Sequence, residues 1–418
     1  MRFYFLLVIL FSYSTYGQII LNNRNWVNVK EYGAKGDGKT NDQVAVQKAL
    51  AQVRPNGTLY FPAGVYRATL SIRRNDIKIE GAGSGKTILK TQDAVNANVI
   101  EIGNTADPYA RNFSIFFKNV HLTGITLNGN RGKVPEPATD LTAWGLAVTA
   151  TSNSTFKDIR VINCWNGGVG FFILSNNNVG NFYVENCGFA SIYANEPGFD
   201  INSSSYNNFE VVVKNCAYGA RILDNCIKNV LKATIINAMH TGFMIGDQLV
   251  NTGSHHNRVN ATIKGGCKDQ AVSVGAKASK NIFSFSILGV IGHGIHELDS
   301  TYFFNNMAMA ATGNEYKILS KRNGGSAASI GGSFGKWSIK SFSDGRRDKK
   351  GDHFAIRIKG SKNEIEATVF DEAQPKVRGL IFEKKSNANK LLSYNYNTLV
   401  QILADQGTNN IYPKKAGN

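Results

Sequence analysis

The sequence is short of acidic residues, and this shortage favours one kind of partner. It holds 30 Asp and Glu against 47 Lys and Arg in 418 residues, which gives a formal net charge of +17. An excess of this size favours a protein that binds something anionic, such as nucleic acid, an anionic surface or an acidic polysaccharide. Solubility alone is the simpler alternative.

Cysteine is also scarce, and its arrangement argues against two common uses. The five cysteines are an odd number, contain no C-x-x-C pair and are spread over a long chain. A disulfide scaffold would be denser and shorter, and a zinc site favours closely paired cysteines. The sequence therefore predicts neither.

Long apolar runs are missing as well. The apolar run at residues 3–11 follows Arg2 and gives way to small and polar residues that lead to Gly17. It is too short for a transmembrane helix, which needs about 20 residues, and its layout is typical of a secretory signal peptide. We therefore expect a signal peptide at residues 1–17, a secreted or periplasmic protein, and a single domain over residues 18–418.

What the sequence does contain is a weak repeat without a helix. Three segments alternate apolar and polar residues and then reach Asn-Cys, which makes three cysteines equivalent: Cys164, Cys187 and Cys216. A second set of alternating segments opens on asparagine, at Asn229, Asn257, Asn281, Asn314 and Asn363. Repeats of about 20 to 50 residues indicate stacked units.

Each repeat unit holds two or three short strands with Gly and Asn turns. Units of this kind exclude helical solenoids and suit a parallel β-helix better than a propeller, whose blades need about 40 residues. In a β-helix each strand stacks about 4.8 Å above its predecessor, so that like residues form ladders. We expect the repeated Asn to hydrogen-bond to its neighbours in such a ladder, and the repeated Cys to fill the interior.

Two G-K-T triplets resemble phosphate-binding loops. The first lies in VNVKEYGAKGDGKTND (27–42) and satisfies the spacing, because Gly33 stands five residues before Gly38. The second fails, because Glu80 stands five residues before Gly85. A phosphate loop should open an apolar crossover helix in an α/β sheet. Only one short helix follows here, so we interpret the loop as structural.

That short helix is predicted over residues 41–53, with Asn41 or Asp42 as its N-cap. One side of it carries an apolar stripe that comprises Val46, Ala49, Leu50 and Val53. The open end of a stacked β-coil invites aggregation. An amphipathic helix lying across the first rung would cover that end.

The stretch VNVKEYGAKGDGKTNDQVAVQKALA, followed by GTLYFPAGVYR, resembles the N-terminal signature of the pectate-lyase-like superfamily. The resemblance covers residues 26–130 and implies an all-β fold: a right-handed parallel β-helix with an N-terminal capping helix. The superfamily includes polysaccharide lyases, polygalacturonase-type hydrolases, epimerases and phage tailspikes. It also implies a groove for long sugars along one face of the central rungs.

Two short motifs of polygalacturonase-type hydrolases are present, namely G-H-G at 292–294 and R-I-K at 357–359. The N-T-D triplet and the Asp-Asp pair of those enzymes are missing, which leaves Asp200 and Asp224 as isolated candidates. Glycoside hydrolysis needs two carboxyl groups about 5 to 9.5 Å apart. Hydrolysis is therefore an alternative and not the main prediction.

β-Elimination on a uronate sugar suits the composition better. The enzyme must neutralise the carboxylate, remove the C5 proton and protonate the leaving oxygen, for which Arg, Lys, His and Tyr are suitable groups. Six of the seven histidines lie between residues 240 and 353. We predict His240 or His293 as base, Tyr302 as acid, and Arg221 with Arg357 as carboxylate clamp.

Three further residues are predicted to contact the substrate: Lys264, His296 and Lys359. A surface or turn position is the simpler alternative for each of these side chains. Acidic residues near two turns leave calcium open, since calcium takes six to eight oxygen ligands. Those acids are Glu297 with Asp299 and Glu196 with Asp200, and they are scattered in a basic chain, so no metal and no cofactor is predicted.

Together these observations predict a secreted carbohydrate-active enzyme. It would degrade an anionic, uronate-containing polysaccharide or its oligosaccharides by β-elimination, as a lyase or a dehydratase. The alternatives are a polygalacturonase-type glycoside hydrolase and a non-catalytic β-helix that binds polyanions. We expect an anionic polysaccharide as partner, no nucleic acid, no membrane insertion and a monomer.

Overall fold

The structure is a computed structural model of the chain. It describes residues 25–103, 115–138, 142–190, 196–246, 253–275, 277–298, 311–345, 354–371, 377–397, 399 and 401–413, and the backbone of 303–304 and 307–308. The predicted signal peptide lies outside the described residues. None of the described helices is both long and apolar enough to cross a membrane.

The chain coils into a parallel β-helix, which confirms the predicted fold class. Two parallel sheets carry the coil: a 17-stranded one, the large sheet, and a 13-stranded one, the small sheet. The large sheet comprises Trp26–Asn28, Asp37–Asn41, Thr58–Phe61, Gly64–Arg67, Ile77–Gly81, Thr87–Lys90, Val120–Asn128, Thr155–Ile162, Val179–Glu185, Asn208–Lys214, Val230–Ile236, Arg258–Lys264, Ile282–Leu288, Glu315–Lys321, Lys336–Phe342, Glu364–Phe370 and Lys390–Tyr396. The small sheet comprises Leu70–Ile72, Ile100–Ile102, Leu146–Thr149, Val169–Phe172, Pro197–Asn202, Tyr218–Leu223, Phe243–Gly246, Gln270–Val274, His293–Glu297, Ala328–Ile330, Phe354–Ile358, Arg378–Phe382 and Gln401–Asp405.

Two short pairs complete the strands. Phe117–Lys118 pairs with Thr151–Ser152 in parallel, and Phe303–Phe304 pairs with Met307–Ala308 in antiparallel fashion. Within a rung, a strand of the large sheet, a tight turn and a strand of the small sheet follow one another, and a second turn leads to the next rung. Side chains alternate between the interior and the surface because successive residues of a strand point to opposite faces.

The strand Asn208–Lys214 illustrates how the core forms. Phe209, Val211 and Val213 point inward and are buried, whereas Glu210 is exposed on the outer face. The inward residues of neighbouring rungs join in one continuous hydrophobic cluster along the coil. Stacking in register therefore converts a weak two-residue alternation into a continuous core.

The predicted asparagine ladder is confirmed. The side-chain oxygen of Asn281 accepts hydrogen bonds from the backbone N–H and the side-chain amide of Asn257, at 2.9 and 3.1 Å. Asn281 donates in the same two ways to Asn314, at 2.9 and 3.0 Å. The same pattern links Asn207 to Asn229 and Asn363 to Asn389. Each buried turn amide is thereby satisfied by the next rung.

The predicted packing role of the cysteines agrees with their surroundings. Cys164, Cys187 and Cys216 are buried and free, and the backbone N–H of Cys187 donates to Cys216 Sγ at 3.4 Å. Burial raises the pKa of the Cys187 thiol well above its ordinary value, and the neighbouring Cys164 raises it further. A thiol held in this form is a poor nucleophile, because the thiolate is the reactive species.

An α-helix spans Gln43–Gln52, one or two residues inside the predicted limits. Val46 and Ala49 are fully buried in the core cluster, and Leu50 packs against it. The N-cap is Asp42, although its side chain does not cap the helix. The helix contacts the strand Trp26–Asn28 of the first rung, and its capping role stays a prediction.

Asp42 instead organises the first G-K-T loop. Its carboxylate accepts hydrogen bonds from the backbone N–H groups of Lys35 and Gly36, at 2.7 and 3.3 Å. Asp37 accepts from the backbone N–H groups of Lys39 and Thr40, at 2.9 and 2.7 Å. Because two carboxylates already occupy these amides, the loop is not a phosphate cradle, which agrees with the structural interpretation.

Candidate functional site

The site begins with a column of residues on the outer face of the small sheet. Parallel register aligns one residue from each of seven successive rungs: Asp200, Arg221, Met244, Ser273, His296, Ser329 and Arg357. The column contains three of the predicted site residues, Arg221, His296 and Arg357. Rungs about 4.8 Å apart separate Arg221 from His296 by about 14 Å and His296 from Arg357 by about 10 Å.

Exposure changes along this column. The outward residues of the rungs before Arg221 are covered: Ala147 is 2% exposed, Gly170 is buried and Asp200 is fully buried. From Arg221 to Arg357 every outward residue is partly exposed. We call these six residues, Arg221, Met244, Ser273, His296, Ser329 and Arg357, the open column.

Arg221 lies at the covered end of the open column in a buried ion cluster. Its Nη2 donates to Glu196 Oε2 at 2.6 Å and to Asp200 Oδ2 at 2.7 Å. Burial lowers the pKa of Arg221, but the carboxylates of Asp200 and Glu196 outweigh burial and raise it overall. The cluster carries one positive and two negative charges, so Arg221 serves to hold the site together and is a poor clamp for a substrate carboxylate.

Next to this cluster three polar side chains from successive rungs come together: Tyr218 at the start of its strand, and His240 and Asp269 in the turns of the next two rungs. The rings of Tyr218 and His240 stack with their centroids 5.3 Å apart and an interplanar angle of 24°. His240 Nδ1 lies 3.6 Å from Asp269 Oδ2. About a third of the His240 side chain is exposed to solvent. We call Tyr218, His240 and Asp269 the acid–base cluster.

Electrostatics connect the acid–base cluster to Arg221. Burial raises the pKa of Tyr218, the negative charge of Asp269 raises it further, and the positive charge of Arg221 opposes both. Tyr218 therefore stays protonated at neutral pH and can donate a proton. The backbone N–H of Asp269 donates to the His240 carbonyl oxygen at 3.3 Å, which holds the two turns in register.

His293, the second predicted base, lies on the rung after Asp269, and its backbone N–H donates to the Asp269 carbonyl oxygen at 3.0 Å. His293 pairs with Gln270 in the small sheet. Its Nδ1 accepts a hydrogen bond from the backbone N–H of Ser326 at 3.0 Å. That nitrogen is therefore already used as an acceptor within the fold. His240, by contrast, makes only a loose contact to a carboxylate.

The remaining predicted residues are scattered. Arg357 belongs to the open column, but its Nε donates to Glu383 Oε1 at 2.6 Å. Lys359 follows at the end of the same strand. Lys264 lies on the large sheet, paired with Ile236 and Leu288, outside the column. Tyr302 lies outside the described residues.

The acids considered as hydrolase or metal residues are engaged elsewhere. Asp224 is buried and accepts a hydrogen bond from the Asn202 amide at 3.3 Å. Glu297 points into the core, where it accepts from Tyr316 O–H at 2.5 Å and from the Gly332 backbone N–H at 2.9 Å. Asp299 lies outside the described residues. Across the described ranges, no three His, Cys, Asp or Glu side chains are grouped as metal ligands.

Sequence reasoning missed Tyr218 and Asp269. Tyr218 begins the strand Tyr218–Leu223, whereas Asp269, like His240, lies in the turn before a strand of the small sheet. Backbone hydrogen bonds join these positions, from His240 to Ala217 and from Asp269 to His240. The triplets A-Y-G, A-M-H and K-D-Q do not align the three side chains, so no local pattern pointed to them, and none marked Glu196 as a partner of Arg221.

Comparisons with known proteins agree with the fold. The model of the family described as "Rhamnogalacturonase A/epimerase, pectate lyase-like" matches residues 26–244, more than half of the chain. Two similar relatives come from Azotobacter vinelandii: mannuronan C5-epimerase AlgE1, 37% identical over 115 residues, and alginate lyase 7, 38% identical over 90 residues. The solved A-module of mannuronan C-5 epimerase AlgE6 from that organism has a TM-score of 0.55 at 15% identity, covering 93% of this chain and 100% of that one.

The two sequence relatives are matched only in part. The aligned segments cover 25% and 19% of this chain, but only 8% of AlgE1 and 10% of alginate lyase 7. At 15% identity, the likeness to the solved A-module concerns the fold alone. The reaction therefore has to be argued from the chain's own side chains.

Proposed function

Since this chain belongs to the rhamnogalacturonase A/epimerase, pectate lyase-like family, we propose that it degrades a uronate-containing polysaccharide or its oligosaccharides by β-elimination. The observation that carries the proposal is the acid–base cluster at the end of the open column. His and Tyr side chains in contact, one of them beside a carboxylate, suit the removal and return of a proton. The names of the two partly matched relatives, an epimerase and a lyase of uronate polymers, support the substrate class.

His240 is the proposed base. Asp269 lies on the Nδ1 side of the ring, so that Nδ1 carries the proton and Nε2 keeps a lone pair for the C5 proton of the sugar. The carboxylate also stabilises the imidazolium that forms once the proton has been taken. At 3.6 Å this contact is longer than a hydrogen bond, so the proposal requires the two side chains to move closer when the substrate binds.

Tyr218 is the proposed acid. As the C5–H bond breaks, its electron pair forms the C4=C5 double bond and the C4–O bond breaks. The leaving oxygen then takes the phenolic proton of Tyr218, whose pKa is raised by burial and by Asp269. A glycosidic oxygen as leaving group gives a lyase, whereas a hydroxyl gives a dehydratase.

The substrate carboxylate needs a positive charge, because the anion that forms next to it must be stabilised. Since Arg221 is shared by Glu196 and Asp200, we assign this role to Lys268, which is exposed and directly precedes Asp269. His296 and Arg357, farther along the open column, would contact later sugars of the polymer. Arg221 is a positioning residue that orders the strands beneath the acid–base cluster.

Hydrolysis has less support from these contacts. Glu196 and Asp200 form a close pair of carboxylates at the site, since both accept from Arg221 Nη2. Asp200 is fully buried, so it cannot reach a glycosidic oxygen. Epimerisation shares the first step with elimination and differs in returning a proton to the opposite face of C5.

One experiment separates these reactions. The mature protein is incubated in deuterated buffer with pectate, alginate, glycosaminoglycans and sulfated algal polysaccharides, with EDTA and with calcium in parallel. Ultraviolet absorbance of an unsaturated uronate supports elimination, deuterium at C5 without cleavage indicates epimerisation, and reducing ends without absorbance indicate hydrolysis. If none of these three signals is seen with any polymer, the enzyme proposal is contradicted and polyanion binding remains. Equal rates with EDTA and with calcium would agree with the expectation that no cofactor is needed.

The His240→Ala variant should lose turnover by at least about a hundredfold, as expected for a general base. The matched control is His121→Ala, because His121 lies on the large sheet, where it contacts Thr155. Equal loss in both variants would point to damaged folding and not to a catalytic role. An unchanged rate in His240→Ala would remove this residue from the mechanism.

A further inference from the structure

Resting on the proposed function, we propose that Trp144 and Phe172 form an aromatic wall that closes one end of the open column, so that the protein acts at an end of the sugar chain and not in its middle. The wall lies on the N-terminal side of the acid–base cluster. On the opposite side, the described outward residues from Arg221 to Arg357 are partly exposed. The inference thus concerns which substrates fit, and it follows from burial along one register column.

The wall occupies the outer face where an extended polymer would have to continue. Gly170 pairs with Asp200, which pairs with Arg221. A Cβ atom placed on Gly170 would lie 2.2 Å from Phe172 Cζ and 3.0 Å from Trp144 Cζ3. Phe172 and Trp144 therefore cover Gly170 directly, and glycine is required there because any side chain would collide with the two rings.

Gly167, three residues before Gly170, also lies against the Trp144 ring. A Cβ atom on Gly167 would lie 2.0 Å from Trp144 Cζ3. The rings of Trp144 and Phe172 pack edge to face with their centroids 5.0 Å apart and an angle of 87°, which is a favourable arrangement for aromatic pairs. The two rings thus pack as one unit over Gly167 and Gly170.

This unit is a barrier and not a sugar-stacking platform. A platform must offer an open ring face, but Trp144 is only 3% exposed. The outward residue of the next rung, Ala147, is covered as well, at 2%. Trp144 and Ala147 therefore offer almost no surface to a polymer.

The available length differs on the two sides of the acid–base cluster. Between Arg221 and Gly170 there are two rung steps, or about 10 Å at the spacing of parallel strands. From Arg221 to Arg357 there are five steps, or about 24 Å, with every outward residue partly exposed. A substrate would therefore extend far along the open column and only briefly towards the wall.

The first test uses the unmodified protein and a uronate polymer that it turns over. An end-acting enzyme releases short unsaturated products while the viscosity of the polymer falls slowly. Oligosaccharides labelled at either end should lose label-bearing fragments from one end only. Random internal cleavage, with an early fall in viscosity, would overturn this inference and leave the proposed function intact. Absence of turnover on every uronate polymer would overturn both.

The second test removes the wall. Phe172→Ala, and separately Trp144→Ala, should shift the products towards longer fragments and speed the fall in viscosity per bond cleaved by at least about threefold. The matched control is Phe334→Ala, because Phe334 is exposed in a turn outside the open column and contacts Lys362. Melting temperatures show whether each variant folds, and Phe172, being only half-buried, keeps the test valid if Trp144→Ala unfolds. Folded wall variants with the product sizes of the unmodified protein would contradict the inference.

Discussion

At the scale of single residues, the fold places ionisable groups in surroundings that decide what each can do. Arg221 has the chemistry of a substrate clamp, but two carboxylates already share one of its nitrogens. Glu297 lies in the core, where burial raises its pKa to about 7 against the opposing effect of its hydrogen bonds. Burial and the negative charge of Asp269 raise the pKa of Tyr218, and the positive charge of Arg221 lowers it. Position in the coil, more than residue type, therefore assigns the roles.

Replacement of Tyr218 by Phe tests its role as acid. The variant keeps the ring that stacks on His240 but loses the phenolic proton, so we expect kcat to fall by at least about a hundredfold with KM nearly unchanged. The measurement is steady-state kinetics on the polymer that gives the unsaturated product. The control Tyr206→Phe removes a hydroxyl from an exposed turn tyrosine and should keep full activity. A fall in KM and kcat together with an unaltered ratio would argue against the role.

The raised pKa of Glu297 predicts that the stability of the protein falls as the pH rises towards 7. Its folded pKa of about 7 lies above the ordinary 4.5, so the folded state binds the proton more tightly than the unfolded state. The stabilisation is complete below pH 4.5, is lost as the pH rises to 7, and amounts to about 3 kcal/mol. Glu297→Gln imitates the protonated acid, and we expect it to be more stable than the unmodified protein at pH 8.

Urea unfolding at pH 5 and pH 8 measures this effect. The stability gained by Glu297→Gln should be large at pH 8 and small at pH 5. Glu315→Gln is the control, since Glu315 is exposed on the outer face of the large sheet and its carboxylate lies 3.7 Å from Lys336 Nζ. An equal pH dependence in the unmodified protein and Glu297→Gln would show that Glu297 does not titrate in this range.

At the scale of structural elements, turns carry as much of the fold as strands do. The asparagine ladder satisfies the backbone N–H of each turn through the side chain of the next rung. The small residues at the other turn, Cys among them, allow tight packing where the two sheets meet. Neither feature is useful in a single rung, because each bond or contact requires the neighbour above or below.

Asn281→Ala tests the ladder. The substitution leaves the buried backbone N–H of Asn257 without its acceptor and removes one of the two hydrogen bonds that the Ser254 carbonyl accepts. Buried polar groups that lose a partner cost about 1–3 kcal/mol each, so we expect a loss of about 2–4 kcal/mol in the free energy of unfolding. Asn260→Ala is the matched control, because Asn260 is exposed on the outer face, and surface changes of this kind stay within about 0.5 kcal/mol. Chemical denaturation measures the free energy of unfolding of both variants. Equal losses in the two would contradict a stabilising role for the asparagine ladder.

At the scale of the whole molecule, the stacked rungs place equivalent strand positions at equal distances along the coil. Residues that are far apart in sequence, such as Arg221 and Arg357, occupy the same column because rungs of different length return to the same register. An open column of this kind suits a polymer whose charges repeat at regular intervals. The basic excess of the chain, +17 by formal charge, favours such a partner at long range.

Arg357→Gln tests the length of the column. Arg357 lies about 24 Å from Arg221, so the variant should raise KM for long substrates about fivefold, or about 1 kcal/mol, and leave kcat unchanged. Short oligosaccharides that do not reach Arg357 should show no effect. Arg258→Gln on the outer face of the large sheet is the control. Equal changes for short and long substrates would contradict the proposed path of the polymer.

The sequence by itself determined the coil. Alternation, turn residues and the repeated Asn and Cys predict parallel rungs, because each of these signals is local and recurs in every rung. A helix over residues 41–53 was predicted for the same reason, from its own spacing of apolar residues, and the structure has it at 43–52.

Only the tertiary structure decided which groups meet. Tyr218, His240 and Asp269 are 22 and 29 residues apart, and they converge because three rungs of unequal length stack on one another. Whether Arg221 faces a substrate or two protein carboxylates depends likewise on Glu196 and Asp200, which lie on the preceding rung and the loop before it. Contacts between rungs depend on the summed lengths of strands and loops, and no local pattern in the sequence encodes that sum.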